Sequence, residues 1–157
     1  MHNVYSDNFT AIRKSVKLLG ARWEPSQPGV HQTNAIIERC NGDILAGSRA
    51  NMCQAGLPAC FWPYACPHYC HVENITCDED DSSPWLLRRG SHFPGKALPL
   101  GCGVFFLPAP TKYTNSKSAT KMSYGVLLGY RLAPGGRWKG EYVVADLSDF
   151  IGKSLNS

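Results

Sequence analysis

Two acidic residues stand where metal-dependent phosphate chemistry would need them. Asp7 follows a short segment, residues 2–6, that reads as the tail of a strand. Glu38 falls in the first turns of a helix expected to start at Thr33 or Asn34, both good N-caps. Carboxylate oxygens are hard donors and suit Mg²⁺ or Mn²⁺. A strand-end Asp and a helix Glu brought together would hold one such ion, which activates an oxygen nucleophile or stabilises a leaving oxygen on phosphorus. Each acid also has a plain structural role. An Asp before a helix usually caps it, and a Glu on a helix usually faces water.

The elements that must position this pair follow from spacing. Residues 8–16 carry Phe9, Ile12 and Val16 at helical intervals, and Gly20 suits the end of that helix. Residues 21–24 fit a brief strand. Residues 25–33, with two prolines, a glycine and several polar side chains, form a loop. On the helix that follows, Ile37, Cys40, Ile44 and Ala55 share a stripe with Met52 at its edge, while Glu38 and Asn41 pair at i and i+3 beside it. Gly42 and Gly47 each weaken that helix by about 1 kcal/mol relative to Ala.

After Gly56-Leu57-Pro58 a second helix is expected over 59–72, with Pro63 tolerated in its first turn and Pro67 kinking it. The run Asp78-Glu79-Asp80-Asp81-Ser82-Ser83 is an acidic, solvated loop and marks a boundary. Beyond it, Val104-Phe105-Phe106-Leu107, residues 124–130 and residues 137–147 are strand-like, with the turn Pro134-Gly135-Gly136 between the last two. Residues 111–122 form an exposed polar loop. The expected fold class is α/β, helix-rich in residues 1–77, with an acidic linker over 78–90 and a small β-barrel or β-meander over 91–157.

Composition sets few limits. A chain of 157 residues with 43% apolar content can build a core, and a net charge of +4 permits nucleic-acid binding without arguing for it. The seven cysteines are an odd number with no CxxC pair, and no signal peptide precedes them, so they read as reduced thiols of an intracellular, not secreted, protein, mostly buried. Cys66, Cys70 and His71 form a C-x3-C-H group without a fourth ligand at zinc spacing. Asn74-Ile75-Thr76 is a formal glycosylation sequon that a non-secreted chain would not use. No apolar run reaches transmembrane length. Trp23, Trp62 and Trp138 have apolar neighbours and read as core residues, with base stacking as the alternative.

Taken in order, the motifs Tyr5-Ser6-Asp7-Asn8, Pro28-Gly29-Val30-His31-Gln32-Thr33-Asn34, Glu38-Arg39 with Asn41, Ala55-Gly56-Leu57-Pro58 with Phe61-Trp62, Ser83-Pro84-Trp85, Gly101-Cys102 and Gly125-Val126-Leu127-Leu128-Gly129-Tyr130 resemble the integrases of Copia-type retrotransposons. Each motif is weak alone; the ordered set spans nearly the whole chain. The resemblance implies the second half of a ribonuclease-H-like catalytic core of the Pol polyprotein, followed by an SH3-like region.

It further implies DNA integration by polynucleotidyl transfer, with two Mg²⁺ (or Mn²⁺) ions roughly 3.5–4 Å apart held by an Asp-Asp-Glu triad. Asp7 matches the second acid and Glu38 the third, both as catalytic residues and as metal ligands. Gln32, Asn34, Arg39 and Asn41 match positions near DNA. The family's first Asp and its strands would precede Met1. The expectation is therefore an integrase fragment with an incomplete triad and weak metal binding, inactive alone, its helices short of the sheet they pack on. DNA is the expected partner, with no membrane association, homo-oligomers in the longer protein, and a place in nucleus or cytoplasm. The alternative is a non-catalytic nucleic-acid-binding or interaction module derived from a transposon.

Overall fold

The structure is a computed structural model that describes residues 3–27, 35–108, 118 and 120–155. Helices and strands both contribute, so the chain is a mixed α/β protein. It forms two compact units, Met1–Asp43 and Ile44–Ser157.

The first unit begins with strand β1 (Asn3–Ser6), helix α1 (Thr10–Leu18) and strand β2 (Arg22–Pro25). The strands pair in parallel, Asn3 with Arg22 through Ser6 with Pro25, as a helical crossover allows. Ser26 N–H continues the ladder to the Ser6 carbonyl at 2.8 Å. α1 ends in a Schellman turn: Ala21 N–H bonds the Val16 carbonyl and Gly20 N–H the Lys17 carbonyl, both at 3.2 Å. Gly20, at φ +64°, takes the left-handed position this turn needs, which a Cβ would disfavour. Trp23 ties β2 to β1 by donating from Nε1 to Ser6 Oγ at 3.0 Å, and the Arg13 guanidinium lies 5.4 Å from its ring. Only Val16 and Ser26 are buried among the described residues of this unit.

Helix α2 (Ala35–Ala55) starts in the first unit and ends in the second. The expected stripe packs only in its later part: Met52 is buried, Ile44 and Ala55 are half-buried and Ala55 packs on the core, whereas Ile37 and Cys40 are exposed. Ser48 is buried as well, and Gly47 marks a close approach. A Cβ there would collide with the Tyr69 ring, so the glycine that costs helix propensity allows that approach.

In the second unit a 3-10 turn (Ala59–Phe61) leads into α3 (Trp62–Ile75). Pro63 occupies the first turn; Pro67 lies inside, yet the helix continues to Ile75. α3 buries Ala65, His68, His71 and Ile75, a helical spacing of three and four. Met52, Ala65 and Leu100 make a core cluster, with Ala55, Leu57 and Trp62 packed on it. Ser83 opens a short helix, α4 (Pro84–Arg89), by accepting from Leu86 N–H at 3.1 Å. Strands β3 (Gly103–Phe106), β4 (Ser123–Ala133) and β5 (Arg137–Asp146) form an antiparallel sheet in that order. The described strands make a meander, with register shifts between Leu127 and Gly129 and between Tyr130 and Leu132. A 3-10 turn (Leu147–Phe150) follows, and the Phe150 ring lies 5.9 Å from that of Phe61.

α3 packs on β4 and on α4 within the second unit, and the two compact units divide inside α2. One expectation is corrected here. The cysteines, expected to be mostly buried, are not: Cys40, Cys53, Cys60 and Cys77 are exposed, and Cys66, Cys70 and Cys102 are half-buried. No described helix is long and apolar enough to cross a membrane.

Candidate functional site

The strand-end Asp and the helix Glu meet at one groove of the first unit. Asp7 directly follows β1, and Glu38 lies in the first turn of α2. Both line an open groove of about 840 Å³ with Tyr5, Ser6, Ile12, Ile36, Ile37 and Cys40. Both carboxylates are exposed, so neither bears the cost of a buried charge. The groove thus presents two hard oxygen donors against an isoleucine wall. That donor set suits one hydrated Mg²⁺ or Mn²⁺ ion, since Mg²⁺ keeps several waters and takes one or two carboxylates.

The other expected site residues are distributed differently. Arg39 lines a separate, smaller depression of about 300 Å³ with Ala35, Ile36, Cys40 and Asp43. Asn41 is exposed, one turn beyond Glu38 on α2. Gln32 and Asn34, with most of the Pro/Gly loop, lie outside the described residues.

The second unit holds a group of polar side chains that sequence reasoning did not find. His68 and His71 are buried in a cluster of Trp85, Phe93, Tyr130, Trp138 and Tyr142, with His71 and Tyr130 ring centroids 4.4 Å apart. His68 Nε2 donates to the Leu98 carbonyl at 2.9 Å, which leaves its buried Nδ1 without a partner. His71 Nε2 and Trp85 Nε1 are likewise buried and unpaired. Tyr130 Oη accepts from Leu98 N–H at 2.8 Å and donates to the Lys96 carbonyl at 2.9 Å, fixing the segment before β3.

Burial pushes the His68 imidazole below its ordinary value, opposed by the Leu98 hydrogen bond. Burial, and then the charge of His68, push His71 down as well. Burial raises the Tyr130 phenol and the Cys102 thiol. Both histidines are therefore held neutral in a packed core. Their spacing with Ala65 and Ile75 on α3 is the one sequence signal that places them inward. The C-x3-C-H group accordingly contributes His71 to the aromatic core, and Cys66, Cys70 and His71 are not gathered as metal ligands among the described residues.

No protein-family model matches this chain, and no curated protein matches it either.

Proposed function

We propose that this chain is integrase-type, and that its first unit binds one divalent ion at Asp7 and Glu38 and meets DNA along that face. The single observation that carries the proposal is the groove shared by the two carboxylates. The parallel β1–α1–β2 crossover supports it, because a ribonuclease-H-like core presents an acid at the end of such a strand. On this reading Asp7 and Glu38 hold Mg²⁺ or Mn²⁺, and the ion polarises a phosphodiester oxygen. Arg39 and Asn41 then supply contacts to the DNA backbone, and Gln32 and Asn34 join them from the loop before α2. The meander β3–β4–β5 corresponds to the SH3-like region of the same family. Two carboxylates suit one ion, so metal binding at this pair alone is weak.

Paramagnetic broadening by Mn²⁺ tests this. The expected result is loss of amide signals from Tyr5, Ser6, Ile37 and Cys40 at low Mn²⁺, restored in Asp7→Asn and in Glu38→Gln. Broadening confined to the acidic stretch Asp78–Asp81, or unchanged in both variants, overturns the site. A strand-transfer assay with labelled DNA ends should give no product; product that disappears in Glu38→Gln would show a complete enzyme.

A further inference from the structure

Beyond α3 the chain folds back through an ordered acidic loop. Asp78 N–H bonds the Ser82 carbonyl at 2.8 Å, and Asp81 N–H bonds the Asp78 carbonyl at 3.1 Å. Asp78 Oδ1 also accepts from Asp80 N–H at 3.1 Å and Ser82 N–H at 2.8 Å. This loop brings three metal-ligating side chains of different chemistry together. Cys77 Sγ lies 3.9 Å from His92 Nδ1, and His92 Nε2 lies 3.7 Å from Asp81 Oδ2. One ligand atom from each of the three falls within 4.8 Å of the others, and no other such group of three occurs among the described residues.

We propose that Cys77, Asp81 and His92 form a binding site for a borderline divalent ion, Zn²⁺, with water as the fourth ligand. The donors decide the metal. A thiolate, an imidazole and a carboxylate match Zn²⁺, whereas Mg²⁺ prefers oxygen alone. Ligand atoms of a tetrahedral zinc site lie about 3.3–3.7 Å apart, given bonds of about 2.0–2.3 Å. Cys77 and Asp81 approach opposite nitrogens of the His92 ring, so with one imidazole nitrogen as ligand the three atoms lie within 4.8 Å of one another, up to about an ångström wider than that. All three side chains are exposed and free to close the difference by small rotations.

On binding, the Cys77 thiol releases its proton to solvent as the metal–sulfur bond forms. His92 binds through one neutral nitrogen. Thiolate and carboxylate together neutralise the ion's charge, and the nearby Asp78, Glu79 and Asp80 favour its approach. The ion would staple the segment after α3 to the segment after α4, closing the loop that carries α4. This site lies in the second unit and is independent of the Asp7–Glu38 groove.

Co²⁺ titration of the full chain tests the proposal. The expected spectrum has a near-ultraviolet thiolate-to-cobalt charge-transfer band and the visible bands of tetrahedral cobalt, both displaced by Zn²⁺. Cys77→Ser removes the charge-transfer band. Asp81→Asn and His92→Gln each weaken Co²⁺ binding at least about tenfold, while Cys53→Ser leaves the spectrum unchanged. A second readout needs no variant: Zn²⁺ slows alkylation of Cys77 at least about tenfold but not of Cys53 or Cys60, read by peptide mass spectrometry. Absence of the band, a band that survives Cys77→Ser, or equal alkylation of Cys77 with and without Zn²⁺ overturns it.

Discussion

The first unit and the second bury apolar surface to very different degrees. Among its described residues, Met1–Asp43 buries one apolar side chain, Val16, and leaves Phe9, Leu18, Leu19, Ile36 and Ile37 exposed. Ile36 is 88% exposed. The second unit buries Met52, Phe61, Ala65, Ile75, Leu100, Leu127 and Leu128, and Leu127 is only 1% exposed. Hydrophobic stabilisation scales with area removed from water, at about 25 cal/mol per Å². Cohesion therefore resides in the second unit, while the first carries an open groove lined by acids. A parallel pair of strands is normally covered on both faces; here Tyr5 on β1 and the whole of α2 from Ala35 to Asp43 remain open.

Hydrogen exchange should expose this contrast most strongly. Amides of β4 and of residues 44–55 should open only with global unfolding, at about 5 kcal/mol or more, whereas those of residues 35–43 should open at nearly no cost. Equal protection along the whole of α2 would erase the comparison. Leu127→Ala should lower the unfolding free energy of the second unit by about 2–5 kcal/mol, because it leaves a cavity in a filled core. Leu18→Ala, on an exposed position of α1, should change stability by no more than about 0.5 kcal/mol. Urea titrations of both variants check the pair.

Acid should act on the second unit through His68 and His71. Both have folded-state values lowered by burial, so below about pH 6.5 the unfolded chain takes up protons that the folded chain refuses. Stability is then complete above about pH 6.5 and falls as the pH drops below it. The urea midpoint should therefore be lower at pH 5.5 than at pH 7.5. A midpoint that rises on acidification would mean that the histidines are charged in the fold. The smallest effect belongs to the groove. Asp7→Asn and Glu38→Gln should shift the thermal midpoint by an amount equivalent to no more than about 0.5 kcal/mol, because both side chains are exposed. A large loss would make them structural caps and not ligands.

Local chemistry determined much of this molecule from the sequence alone. The helix of residues 8–16 is present as α1, shifted by two residues, and Gly20 ends it through the left-handed conformation its position needs. The strand runs near 104–107, 124–130 and 137–147 are β3, β4 and β5, because alternation, β-branched residues and the Pro134-Gly135-Gly136 turn act within a few residues of one another. The helix α4 was also legible in principle: Ser83 before Pro84 is an N-cap followed by a proline at the first helical position. Asp7, expected at a strand end, and Glu38, expected in the first turns of a helix, line one groove.

Tertiary structure decided the rest, because it depends on contacts between residues far apart in the chain. Periodicity put Ile37, Cys40, Ile44 and Ala55 on one stripe of α2 with Met52 at its edge; Met52 and Ala55 do pack, yet Ile37 and Cys40 stay exposed, and the close approach of the Tyr69 ring falls at Gly47. Cys66, Cys70 and His71 looked like partial ligands by spacing, but Trp85, Phe93 and Tyr130 enclose His71. Cys77, Asp81 and His92 show no recognisable spacing; the hydrogen bonds of the loop that begins at Asp78 and the turn after α4 set them side by side. Sequence periodicity specifies which faces an element offers, but only the partner across the contact selects the face that is buried.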